Sequence, residues 1–132
     1  MSDGALANAA NTIEKNNAIR ENSDVWLRGN VGEELNENDK VVFQTLVRST
    51  LVADFMEITR LRRVGADDIA DSLTADFSSF LFEHPGARRI WIEDRQSIKR
   101  YRSLLVPGLS ITDDEFAAIV KLQLEQLDRM EE

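Results

Sequence analysis

The chain has 132 residues, 42% of them hydrophobic and 30% charged, with a net charge of −8 and no cysteine. That length suits one domain with a real core, because a fold of this size hides about two-thirds of the surface its unfolded chain exposes. The lack of cysteine excludes disulfide frameworks, thiolate metal sites and cysteine nucleophiles, and the acidic balance argues against a general binder of nucleic acid or anionic lipid.

No run approaches the roughly 18 apolar residues that mark a membrane-spanning helix. The start, Met1-Ser2-Asp3-Gly4-Ala5-Leu6-Ala7, has neither the basic nor the apolar region of a signal peptide. Strictly alternating β-branched runs are absent, and the helical period dominates. Residues 5–22 read as a polar helix with few apolar positions, and residues 1–10 of the chain, which include its first turn, are expected to fray. Asn22 or Ser23 can cap a short helical turn, Asp24-Val25-Trp26-Leu27-Arg28, which Gly29 is expected to end, and Gly32-Glu33-Glu34-Leu35 then makes a tight connection.

Asn36 is a good helix cap, with Glu37 and Asp39 in the first turn, where carboxylates suit the helix dipole. From there a long helix should run to about Val64, with Arg60, Arg62 and Arg63 in its last turn and Gly65 as its stop. Phe43, Leu46, Val47, Leu51, Ile58 and Leu61 share one stripe, while Val42, Val52, Phe55 and Met56 fall elsewhere around the axis. A helix that is apolar on more than one side is central, so this one is expected to be the spine.

Asp67 and Asp68 open a further helix carrying Ile69, Leu73, Phe77, Phe80 and Leu81, which His84-Pro85-Gly86 ends. Residues 87–94 form a short helix around Ile90 and Trp91, residues 95–105 another, and Val106-Pro107-Gly108 breaks the chain again. Thr112 with Glu115 fits a capping box for a last helix that sets Phe116, Ile119, Val120, Leu124, Leu127 and Met130 on one face. The prediction is an all-α fold: an irregular bundle of five to six helices around a long central helix at about residues 37–64, in one domain spanning residues 1–132.

Few positions suggest chemistry. Asp54 falls inside the apolar stripe of the spine, between Leu51 and Ile58. A carboxylate there must be hydrogen-bonded, ion-paired or protonated, which fits a structural partner for an arginine or a tryptophan N–H, or a residue at a gap between neighbouring helices, better than a lone general base. His84, the single histidine, stands at a helix end where an imidazole commonly caps carbonyls. The acidic clusters Glu33-Glu34, Asp67-Asp68-Asp71 and Asp113-Asp114-Glu115 lack the alternate-ligand spacing of a calcium loop and lie near helix starts.

Charge is uneven. Residues 85–109 hold Arg88, Arg89, Arg95, Lys99, Arg100 and Arg102 against Glu93 and Asp94, a local balance of +4 that leaves −12 on the rest. With Trp91 and Tyr101 nearby, this stripe could meet phosphates and stacked bases, or simply pair with the acidic helices around it.

Two stretches carry a resemblance. Asn22-Ser23-Asp24-Val25-Trp26-Leu27-Arg28-Gly29 followed by Gly32-Glu33-Glu34-Leu35 is one, and Phe80-Leu81-Phe82-Glu83-His84-Pro85-Gly86-Ala87-Arg88-Arg89-Ile90-Trp91 is the other. Over about residues 15–105 they resemble small, functionally uncharacterised helical domains of bacterial proteins, many carried behind a single N-terminal membrane helix. The resemblance implies an α-helical fold and a membrane tether, and brings no activity or functional residue with it. This sequence shows no such tether, so it reads as cytoplasmic as it stands and as membrane-tethered if an anchor precedes it.

The expected function is a helical protein-interaction or structural module, not an enzyme, with no cofactor and no metal and with another protein as partner. Its candidate surface comprises Arg88, Arg89, Arg95, Lys99, Arg100 and Arg102 together with Leu124 and Leu127. A homodimer through the C-terminal helix follows if its apolar stripe exceeds what the spine can cover. Ranked below are a nucleic-acid or polyphosphate binder using Arg88 to Arg102 and a small enzyme built on Asp54.

Overall fold

The computed structural model describes residue 13, residues 15–95 and residues 111–131. Residues 15–21 are helical and lead into α1 (Ser23–Asn30); α2 (Glu37–Arg63), α3 (Asp67–Glu83), α4 (Pro85–Asp94) and α5 (Asp113–Met130) follow. The fold is an all-α irregular bundle, without strands among the described residues. The helix expected over 95–105 lies outside them, apart from Arg95.

The spine is α2, 27 residues long and unbroken. It packs against each of the other four helices. Its buried side chains, among them Val47, Leu51, Val52, Phe55, Met56 and Ile58, encircle the axis as the sequence demands of a central helix. At its start the Asn36 side chain accepts from the Asp39 N–H at 2.8 Å. At its end Gly65 adopts φ +80°, and the N–H groups of Gly65 and Ala66 reach back to the carbonyls of Arg62 and Leu61. That pattern satisfies the last carbonyls and stops the helix, as expected of this glycine.

The first stop is one turn later than the sequence suggests. Gly29 lies inside α1, buried, and Gly32 at φ +86° makes the turn, its N–H donating to Gly29 and that of Glu33 to Arg28. Likewise α4 begins at Pro85, not 87, because a proline at the first helical position gives up an N–H that has no partner there.

Opposite α1, the spine meets α3 and α5 around Phe55, whose ring stands edge-on to Phe116 (5.3 Å, 88°) and Phe77 (6.1 Å, 68°). The capping box of Thr112 and Glu115 is formed, with both hydrogen bonds at 3.1 Å. Glu115 also accepts two hydrogen bonds from Arg63, at 2.8 and 2.6 Å, which ties the end of the spine to the start of α5. Arg63 and the Thr112 donors together draw the Glu115 carboxyl down to about 2. Along α5, Ile119, Gln123 and Leu127 recur at four-residue spacing, all buried, and Gln123 accepts from the Trp91 indole N–H at 2.9 Å.

Candidate functional site

The two stretches that carry the sequence resemblance are separated by 45 positions at their nearest ends, Leu35 and Phe80, and meet in the fold. Helices α1 and α4 cross where Gly29 faces Gly86, and a methyl group built on Gly86 would stand 1.8 Å from the Gly29 carbonyl oxygen. One on Gly29 would stand 2.3 Å from the Phe43 ring. Only glycine at both places lets the two backbones and the spine approach this closely. Beside the crossing, Trp26 stacks on Phe80 (6.0 Å) and tilts against Phe43 (6.2 Å), and Phe80 stacks on His84 (4.4 Å). His84 does what its place at a helix end suggests: Nδ1 lies 2.8 Å from the Phe80 carbonyl, which can only accept, so Nδ1 carries the proton.

This crossing floors a groove of about 410 Å³, lined by Gly29, Gly32 and Gly86, by Leu35, Phe43 and Ile90, and by polar side chains from three segments. Glu33 and Glu34 come from the connection after α1, Glu37, Lys40 and Gln44 from the start of α2, and Arg89 and Glu93 from α4. Its six charged side chains are all exposed, and among the described residues none forms an ion pair with another. Most other arginines are matched: Arg28 with Asp24 and Asp39, Arg60 with Glu57, Arg62 with Asp71, Arg63 with Glu115.

Helix α4, which supplies Arg89, Ile90 and Glu93 to the groove, is tied to the spine by an ion pair. Asp94, 1% exposed, accepts from Arg48 Nε at 2.9 Å, linking the last turn of α4 to the spine. Asp94 counts in the sequence only as a carboxylate diluting a basic stretch; in the fold it is a tie.

The residues singled out from sequence are scattered. Arg88 lies 3.7 Å from Glu131 of the last helix, Arg89 lines the groove, and Arg95 ends the described stretch; Lys99, Arg100 and Arg102 lie outside the described residues. Three arginines therefore do not make one stripe: one faces α5 and one shares the groove with four glutamates. Leu127 is buried in the core and Leu124 packs against it, so neither lies open for a partner, and the apolar stripe that might have driven dimerisation through α5 is covered by α3 and the spine. Phe82 is 37% exposed.

Asp54 finds neither of its expected structural partners among the described residues. The Trp91 N–H goes to Gln123, and the nearest charges are Lys15 and Glu57, the latter hydrogen-bonded to Arg60. Burial raises the Asp54 carboxyl to about 6, the Glu57 charge adds to that, and Lys15 opposes it. The groove does not include Asp54, nor does a smaller hollow of about 270 Å³ where the end of α2 meets the start of α5. Among the described residues no three histidine, aspartate or glutamate side chains converge as metal ligands would, and no helix is long and apolar enough to cross a membrane.

Sequence reading passed over most of the groove. Glu33, Glu34 and Glu37 had a sufficient local explanation as carboxylates at a helix start, and Lys40, Gln44 and Glu93 carried no signal. The one available clue was Gly29, a glycine within reach of a helix end with a second glycine, Gly32, three residues on. No protein-family model matches the chain, and no curated protein or solved structure matches it.

Proposed function

We propose that the domain is a non-catalytic protein-interaction module, and, following the resemblance noted above, the water-facing part of a tethered bacterial protein. Its contact surface is the groove between α1, the 31–36 connection, the start of α2 and α4. One observation carries this reading: six ionisable side chains from three segments converge on a concavity of about 410 Å³ and none is spent on another there. Charges that a fold keeps for its own stability end up paired, as Arg63 with Glu115 and Arg48 with Asp94 are. Charges gathered over a hollow and left solvated are available to steer and register a partner. The volume falls within the roughly 300–1,000 Å³ of ordinary binding pockets.

Two features favour this over the other readings. Arg89 shares the lining of the groove with Glu33, Glu34, Glu37 and Glu93, whose charges repel a polyphosphate. Asp54 has no second titratable group within hydrogen-bond reach among the described residues, as an acid–base pair requires.

Site-specific photo-crosslinking in the source cell tests the proposal. A photoreactive residue placed at Glu34 or Lys40 should give a discrete protein adduct, and the same residue at Asp128, on the exposed face of α5, should not. Equal adducts at all three positions, or none at the groove, would overturn it.

A further inference from the structure

We infer that the occupant of the groove is a basic segment of a partner protein, one carrying at least two lysine or arginine side chains. The inference rests on the groove being the contact surface, as proposed above, and adds the chemistry of what fills it. Four carboxylates, Glu33, Glu34, Glu37 and Glu93, stand against two cations, Lys40 and Arg89, so the hollow is acidic within a chain that is itself at −8. All four carboxylates are exposed and lack an ion-pair partner among the described residues. Their spread over the connection, the spine and α4 sets them around the hollow, so a single basic side chain cannot satisfy them all.

The walls suit long basic side chains in particular. Lysine and arginine lay an apolar stem along apolar surface and keep the charged head in water. Here half-buried Leu35 offers apolar surface beside the buried Phe43 and Ile90, and the glutamates offer the acceptors. Lys40 and Arg89 then fix direction, since they repel the partner's cations from two points and attract a carbonyl or carboxylate there. Nucleic acid and anionic lipid fail on charge at the same surface.

The test is selection of nonapeptides from a random phage-displayed library on the full chain, followed by fluorescence anisotropy of the enriched peptides. Enriched sequences should carry two or more lysine or arginine residues and bind less tightly as salt rises. Their affinity should fall about tenfold or more for the E37K/E93K double variant and rise several-fold for Lys40→Glu. The E125K/D128K double variant, on the outer face of α5, changes net charge by the same amount and should leave affinity unchanged. Because Lys40→Glu is expected to gain affinity, misfolding cannot imitate the full pattern.

Enrichment of acidic or uncharged peptides, equal losses for the two double variants, self-association of the chain in place of peptide binding, or no enrichment at all would each overturn the inference. If the groove crosslinks a partner while the peptides show no basic bias, this inference falls and the module reading stands. If the groove positions give no adduct, both fall.

Discussion

The two ends of the spine solve the same packing problem in opposite ways. At its C-terminal end, α3 and α5 meet it through large side chains: Phe55, Phe77 and Phe116 interlock, and Arg62 and Arg63 reach across to Asp71 and Glu115. At its N-terminal end, α1 and α4 meet through an absence of side chains, Gly29 against Gly86. Interlocking rings fill space and consume the charges around them. Glycine contacts bring backbones together, and a groove rimmed by exposed charged side chains lies beside them. The glycine-to-glycine crossing therefore sits beside the groove.

The contrast breaks most sharply at Gly86. The atom that Gly86→Ala would strike is a backbone carbonyl oxygen, which cannot rotate away, so the helices must part. A loss of about 3 kcal/mol or more in urea unfolding is expected, with unfolding of the whole domain an admissible extreme. An equally stable variant would mean that the crossing is looser than described.

Next comes the tie between α4 and the spine. Arg48→Met leaves the Asp94 carboxylate, whose side chain solvent cannot reach, without its guanidinium, at a cost of roughly 3 kcal/mol. The double change with Asp94→Leu should recover most of that loss, because it removes the buried charge together with its partner.

Asp54 sharpens the comparison by pH. Its folded-state value of about 6 lies above the unfolded value near 3.9, so the unfolded chain releases its proton first. Its destabilising effect is therefore absent below about pH 4, grows between pH 4 and 6, and is complete above. Asp54→Asn should stabilise the domain by on the order of 2 kcal/mol at pH 7.5 and by nothing measurable at pH 3.5. Parallel urea melts at the two values decide it, and a gain that persists in acid would show that the effect is not ionisation. The smallest effect belongs to Glu131→Ala, which removes an exposed partner 3.7 Å from Arg88 and should shift stability by less than about 0.5 kcal/mol in the same melts.

Much of the architecture was legible because its causes are local. Asn36, Gly65, His84 and the Thr112–Glu115 box act within four residues of themselves, and the spine declares itself through apolar residues on every side. Asp54 was legible for the same reason, as a carboxylate among apolar neighbours.

The groove was not legible. It depends on a meeting of residues 29 and 86, and no periodicity encodes that. Gly29 misled by being a glycine near a helix end, where a stop is the economical reading, and Arg48–Asp94 joins two residues whose surroundings look like surface. Gln123 could have been found. It stands four residues from both Ile119 and Leu127 in the middle of an apolar stripe, where an amide needs a partner, and Trp91 supplies it.

The domain's two tryptophans fall on different sides of this division. Trp26 is half-buried in the ring stack next to the groove, whereas Trp91 is sealed inside with its N–H held by the last helix. Each therefore reports on its own neighbourhood without any label. A ligand seated in the groove should change the emission of Trp26 while the blue-shifted signal of Trp91 persists. Detachment of the last helix should do the reverse, so one emission spectrum distinguishes occupancy from unfolding.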